Sequence, residues 1–166
     1  MDPDDWLNVR AAGFSNLDEN ERLAIYHFAL LWSFFEGKML ATHGSPDAIR
    51  QVVGRIDATK CLDLLRLDEP LAHFRNRYWQ DGRLTPLFDG LNMAAKQVTD
   101  VEPVLAGHEE PAAVLTALLL IVHRLRNNLF HGPKWSSGIT DQRANFENSN
   151  LVLMAAMDMY GQSMAV

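Results

Sequence analysis

The segment from Pro111 to Lys134 constrains this chain more than any other. It opens as its most apolar stretch, Ala112 to Val122, and then turns abruptly polar and basic: His123, Arg124, Arg126, Asn127, Asn128, His131, Gly132, Pro133 and Lys134. Eleven apolar-dominated residues are too few to span a bilayer, which takes roughly 20. They suit a helix that sits at the centre of a helical protein. Val114, Leu118, Ile121, Leu125 and Leu129 mark one face of such a helix, and Leu115, Leu119 and Val122 mark an adjoining face. A helix apolar over so much of its circumference needs neighbours on most sides. The spacing predicts a helix from about Glu110 to Phe130, stopped by Gly132-Pro133.

The flanking sequence supplies those neighbours. Ser15-Asn16-Leu17-Asp18 reads as a capping box with Ser15 at the cap. It opens a helix with Ala24, Phe28, Leu31, Phe35 and Met39 on one stripe, widened by Trp32 and Phe34. Ser45-Pro46-Asp47 starts a short helix to about Asp57. Cys61 to Leu67 is a helical fragment. Asp68-Glu69-Pro70 begins a helix carrying Leu71, Phe74 and Tyr78, which Asp81-Gly82 ends. Thr85-Pro86 starts one running through Leu87, Leu91 and Ala94-Ala95, and Gly107 and Pro111 bracket a loop. A last helix covers about Thr140 to Met164, with Phe146, Leu153, Met157, Tyr160 and Met164 on one stripe. No alternating strand pattern, repeat or linker appears. The expectation is an all-α, single-domain, up-and-down bundle of about five to six helices over residues 15–166, behind a loose lead-in at residues 1–14.

Composition narrows the function classes. At 166 residues the chain fits one domain with a proper core. Apolar residues make up 48% and charged residues 22%, as in ordinary globular proteins. The only cysteine, Cys61, excludes an internal disulfide and a four-cysteine zinc site and fits a reducing cytoplasm. The acidic start, Met1 to Asp5, lacks the basic and apolar regions of a secretory signal. The formal net charge of −6 argues against broad, charge-driven nucleic-acid binding, though not against a local basic site.

Such a local site is present. Pro111 to Thr140 holds no Asp or Glu, yet carries Arg124, Arg126 and Lys134. Cations at a helix C-terminus are also what the macrodipole favours. The chemistry of metal-free RNA cleavage needs a base for a 2′-hydroxyl, an acid for the leaving 5′-oxygen and a cation for the phosphorane. His131 titrates near neutrality and suits either proton role. The planar fork of Arg126 suits a phosphate. Asn127 can orient either one. Arg126 and His131 lie about 140° apart on an ideal helix, so they converge only where the helix unwinds or across a dimer axis. One histidine per chain also points to a symmetric dimer that pairs two His131 side chains.

The run Arg126-Asn127-Asn128-Leu129-Phe130-His131-Gly132 resembles the signature of the HEPN superfamily (higher eukaryotes and prokaryotes nucleotide-binding). The resemblance implies a small helical bundle, commonly a homodimer. It implies a metal-independent endoribonuclease of toxin–antitoxin or other defence systems, with no cofactor, no metal and no membrane. RNA is the implied substrate, and a cognate antitoxin protein is an implied partner. The residues carried over as catalytic are Arg126, Asn127 and His131. Arg124, Asn128 and Lys134 would assist in binding RNA phosphates, and Glu36 in an earlier helix is the supporting acid. The superfamily also implies an alternative, an inactive module that binds a nucleotide, RNA or a protein partner.

Other candidates read as structural. Arg22 to His27 repeats the spacing, but in mid-helix, with no amide after the arginine and no break after the histidine. His73 to Trp79 mixes basic and aromatic residues, as strand-binding surfaces do. It reads better as an amphipathic helix with Phe74 and Tyr78 inward and Arg75 and Arg77 solvated. No zinc-ligand or phosphate-loop motif is present.

Overall fold

The computed structural model describes residues 2–130 and 141–165. Among these the protein is all-α apart from one two-stranded hairpin. Eight α-helices run in order: α1 (Pro3–Arg10), α2 (Glu19–Met39), α3 (Pro46–Ala58), α4 (Asp68–Tyr78), α5 (Pro86–Asp89), α6 (Ala95–Leu105), α7 (Pro111–Phe130) and α8 (Arg143–Ser163). Short 3-10 turns at Phe14–Asn16 and Leu64–Leu67 join some of them.

Helix α7 is the centre, as its sequence predicts. Val114, Leu115 and every residue from Ala117 to Val122 are fully buried. It packs on α6, α3 and α8, while α2 lies along α8. By length and composition α7 is the one described helix apolar enough to cross a membrane, yet 67% of that window is covered by the rest of the protein. Its start is fixed by Glu110, whose carboxylate accepts from the Ala112 and Ala113 amides at 3.1 and 2.7 Å. Those donors have no partner within a helix.

Several boundaries differ from the sequence expectation, each for a local reason. Of the expected loose lead-in at residues 1–14, the described part holds a helix, α1 (Pro3–Arg10). Asp2 caps the Asp4 and Asp5 amides, and Pro3 holds the first helical position. Tyr26 then donates to Asp4 at 2.6 Å, and Arg22 binds Asn8 Oδ1 at 3.1 Å while lying over the Phe14 ring. Arg22 therefore fastens the N-terminal segment to α2.

The α2 cap is Asp18, not Ser15. Asp18 accepts from the Glu21 amide at 2.8 Å, and Glu21 reaches back to the Asp18 amide at 3.1 Å. This is the Asp-x-x-Glu box three residues downstream of the expected one. Phe34 points to solvent rather than widening the buried stripe, and Met164 is also exposed.

Asp81-Gly82 does not end α4, which stops at Tyr78; it forms the turn of a hairpin. Trp79–Gln80 (β1) pairs antiparallel with Arg83–Leu84 (β2). Asp81 and Gly82 both have positive φ, 51° and 74°, as the hairpin turns that match strand twist require. The helix expected from Thr85 through Ala95 is instead two. Helix α5 ends at Asp89, Asn92 adopts a left-handed φ of 51°, and α6 restarts at Ala95. Gln97 accepts from the Ala94 amide at 2.9 Å at that restart.

Candidate functional site

Three elements bring the site together. Helix α2 contributes Trp32 and Glu36, the loop after it contributes Gly44, and the last two turns of α7 contribute His123, Arg126, Asn127 and Phe130. Positions 123, 126, 127 and 130 share one helical face because they are three and four apart. Glu36, the acidic residue singled out in the sequence, forms an ion pair with Arg126 at 3.6 Å. Both side chains are about four-fifths covered, with 23% and 21% exposure for Arg126 and Glu36. Solvent therefore screens the pair less than it would on an open surface.

The Glu36 carboxylate is clamped before it meets Arg126. Oε1 accepts the Gly44 amide at 2.9 Å, and Oε2 accepts the Trp32 indole N–H at 3.1 Å. A Cβ at position 44 would run into Glu36 Oε1, and lie 3.2 Å from the Trp32 ring. A side chain at position 44 would displace the Glu36 carboxylate, so glycine leaves room for the clamp. Arg126 in turn donates from Nη1 to Asn127 Oδ1 at 3.0 Å. Its guanidinium lies 5.5 Å from the Trp32 ring centre and 5.4 Å from that of Phe130. Two aromatic faces and one carboxylate hold the cation at the end of the core helix.

His123 is the buried base of this arrangement. Its Nε2 lies 2.9 Å from the Gly44 carbonyl. A carbonyl only accepts, so Nε2 carries the proton. The Asn127 amide nitrogen is 3.3 Å from the same Nε2, a contact between two donors rather than a hydrogen bond. Nδ1 is buried with no hydrogen-bond partner among the described residues. Burial pushes the His123 pKa below its ordinary value, and the bond to Gly44 opposes that shift only in part. The neighbouring Arg124 and Arg126 charges push it down further. His123 is neutral near pH 7 and serves as a strut: it and Glu36 grip Gly44 from its two backbone polar groups.

The structure separates the remaining expected residues. Arg124 points the other way and donates to the Leu91 carbonyl at 2.7 Å. Burial lowers its pKa. Asn128 is buried and donates to the Gly90 carbonyl at 2.9 Å. Both fasten α7 to the turn after α5 and do not join the Arg126 cluster. His131 and Lys134 lie outside the described residues. Arg75 is not solvated as expected: it donates to the Val104 and His108 carbonyls at 2.9 and 3.1 Å.

Four members of the site are not among the sequence candidates: Trp32, Gly44, His123 and Phe130. His123 was legible in principle, since it stands three residues before Arg126 on the same face. Trp32 and Gly44 carry no such signal, because only the α2–α7 contact brings them in. Compared with protein-family models, with curated proteins and with solved structures, the chain matches none.

Proposed function

We propose that the protein is a metal-independent endoribonuclease of the HEPN type. The observation that carries this reading is the cluster at the end of α7. Arg126 is held there by Glu36, Trp32 and Asn127, in a run where Asn follows the arginine and His-Gly follows five residues on. In this reading Arg126 takes the scissile phosphate and stabilises the charge of the phosphorane. Its fork is already pre-oriented, so little order is lost on binding. A base removes the proton of the 2′-hydroxyl, whose oxygen then attacks phosphorus. The P–O5′ bond breaks, and the leaving oxygen takes a proton, leaving a 2′,3′-cyclic phosphate and a free 5′-hydroxyl. His131 serves one proton role and the partner copy's His131 the other, so the working unit is a cytoplasmic homodimer. Asn127 positions the arginine, and an antitoxin protein would restrain the activity.

The test is cleavage of single-stranded RNA in EDTA. Activity should persist there and vanish on DNA and on 2′-O-methyl RNA, which lack the internal nucleophile. Arg126→Ala and His131→Ala should each lower it by at least about 10²-fold. Cleavage of DNA, or a strict need for Mg²⁺, overturns the mechanism.

One observation favours a second reading, an inactive binding module. The Arg126 fork is already engaged within the chain, by Glu36 and by Asn127. Under that reading expression of the wild type is as harmless to growing cells as expression of His131→Ala. Under the first, only the wild type arrests growth.

A further inference from the structure

On the side of α7 away from Arg126 lies a pocket of about 190 Å³. Its apolar lining includes Pro86, Leu91 and Leu125, and its polar lining Arg77, Asn128 and Gln142. Pockets for drug-sized ligands begin at roughly 300 Å³, so this one suits a single heteroaromatic ring.

The hydrogen bonds around it have a fixed direction. Asn145, also in the lining, donates its amide to Gln142 Oε1 at 2.9 Å. Its own carbonyl oxygen meets His73 Nε2 at 2.9 Å, so that nitrogen carries the proton. This chain commits the Gln142 carbonyl and leaves the Gln142 amide NH₂ as the donor on offer. Asn128 is oriented in the opposite sense. Its NH₂ is committed to the Gly90 carbonyl, which leaves its own carbonyl as an acceptor. One amide offering a donor and another offering an acceptor match the mixed edge of a nucleobase.

Arg77 supplies the third element. It is partly buried, and its Nε is buried with no hydrogen-bond partner among the described residues. No described carboxylate forms an ion pair with it. Its nearest described aromatic partner is the Tyr78 ring, 5.8 Å from the guanidinium carbon. A guanidinium without a carboxylate at the edge of a ring-sized pocket suits a phosphate.

We propose that this pocket binds one nucleotide, with the base edge on Asn128 and Gln142 and the phosphate on Arg77. The ligand is either a free 5′-mononucleotide or one nucleotide of an RNA strand. The second source rests on the ribonuclease reading of the Arg126 site; the first does not.

The experiment titrates AMP, CMP, GMP and UMP, and the matching nucleosides, into the full chain while backbone amide NMR signals are followed. At least one nucleotide should bind with a Kd of about 0.1–1 mM, shifting signals of Gln142 and Leu91. Its nucleoside should bind about tenfold more weakly, and Arg77→Gln should erase that difference. Leu87 lines the mouth and is half exposed, so Leu87→Trp should fold and block the site. Gln142→Leu should weaken the base contact. No shift at these residues with any nucleotide, or unchanged binding to Leu87→Trp, overturns the proposal. An uncleavable 2′-O-methyl oligoribonucleotide separates the two sources. Loss of its binding in Leu87→Trp identifies RNA, and loss of mononucleotide binding alone identifies a free nucleotide. Nucleotide binding that survives Arg126→Ala keeps this pocket standing even if the protein cleaves nothing.

Discussion

The last two turns of α7 carry two pairs of the same residue types on opposite faces. Arg126 and Asn127 face α2, whereas Arg124 and Asn128 face the turn after α5. Arg124 and Asn128 end on backbone carbonyls, Leu91 at 2.7 Å and Gly90 at 2.9 Å. Those carbonyls are fixed dipoles with no other job, so the bonds tie two elements together. Arg126 ends on an ionised carboxylate that is itself held by Gly44 and Trp32. An ion pair between two oriented side chains can be exchanged for another anion, and a bond to a structural carbonyl cannot be without moving the chain. Residue type therefore says little about role here; the nature of the partner decides it.

The largest expected effect tests that distinction directly. Arg126→Ala should lower RNA cleavage by about 10²–10³-fold, the usual cost of removing one preorganised charge-stabilising donor. Arg124→Ala should leave cleavage within about threefold. Both are read as single-turnover rates on a fluorescent RNA. Equal losses in the two variants would break the contrast between the faces.

On the structural face the effect should appear in stability instead. Asn128→Ala leaves a buried carbonyl without its donor, at a cost of about 1–3 kcal/mol. Urea denaturation should show a lower midpoint with an unchanged slope. A midpoint equal to that of the wild type would mean the Gly90 tie contributes nothing.

Gly44→Ala joins the two kinds of effect. The added methyl collides with the far end of the Glu36 side chain, which can move aside, so the cost should sit at the low end of overpacking, about 1 kcal/mol. Glu36 must shift, so cleavage should fall about tenfold as the Arg126 clamp loosens. Cleavage and melting temperature measured on the same preparation will show whether they fall together. A fall in melting temperature alone would separate Gly44 from the chemistry.

The smallest effect is a pH dependence. His123 has a folded pKa below its unfolded value of about 6.5. The unfolded chain then binds more protons as the pH falls through the unfolded value, so folding stability is full above it and declines below it. Unfolding free energies at pH 5.5 and 7.5 should differ in that direction, and His123→Gln should reduce the difference. A stability that rose on acidification would refute the assignment of a neutral, buried His123.

Much of the helical plan was legible in the sequence because caps and apolar periods are local. Ser45-Pro46 starts α3 by its hydroxyl, which accepts from the Ala48 amide at 3.2 Å, and the span of α7 followed from its apolar content. The departures are local too. Asp2-Pro3 is itself a helix start, and Asp81-Gly82 is a hairpin turn and not a helix stop. Helix α6 was missed because its start has no side-chain cap on the preceding residue, only Gln97 reaching back to Ala94.

The sequence by itself determined that α7 would be the core and that a cluster of arginine and amide groups would stand at its end. Periodicity and composition suffice for that, since a segment apolar on all sides must be surrounded. Tertiary structure decided which arginine joins the Glu36 and Trp32 cluster. Arg124 and Arg126 are two residues apart and alike in sequence, yet about 200° apart around the helix. One meets the Leu91 carbonyl and the other the Glu36 carboxylate, because the turn after α5 and the Glu36 side chain of α2 reach different sides of α7.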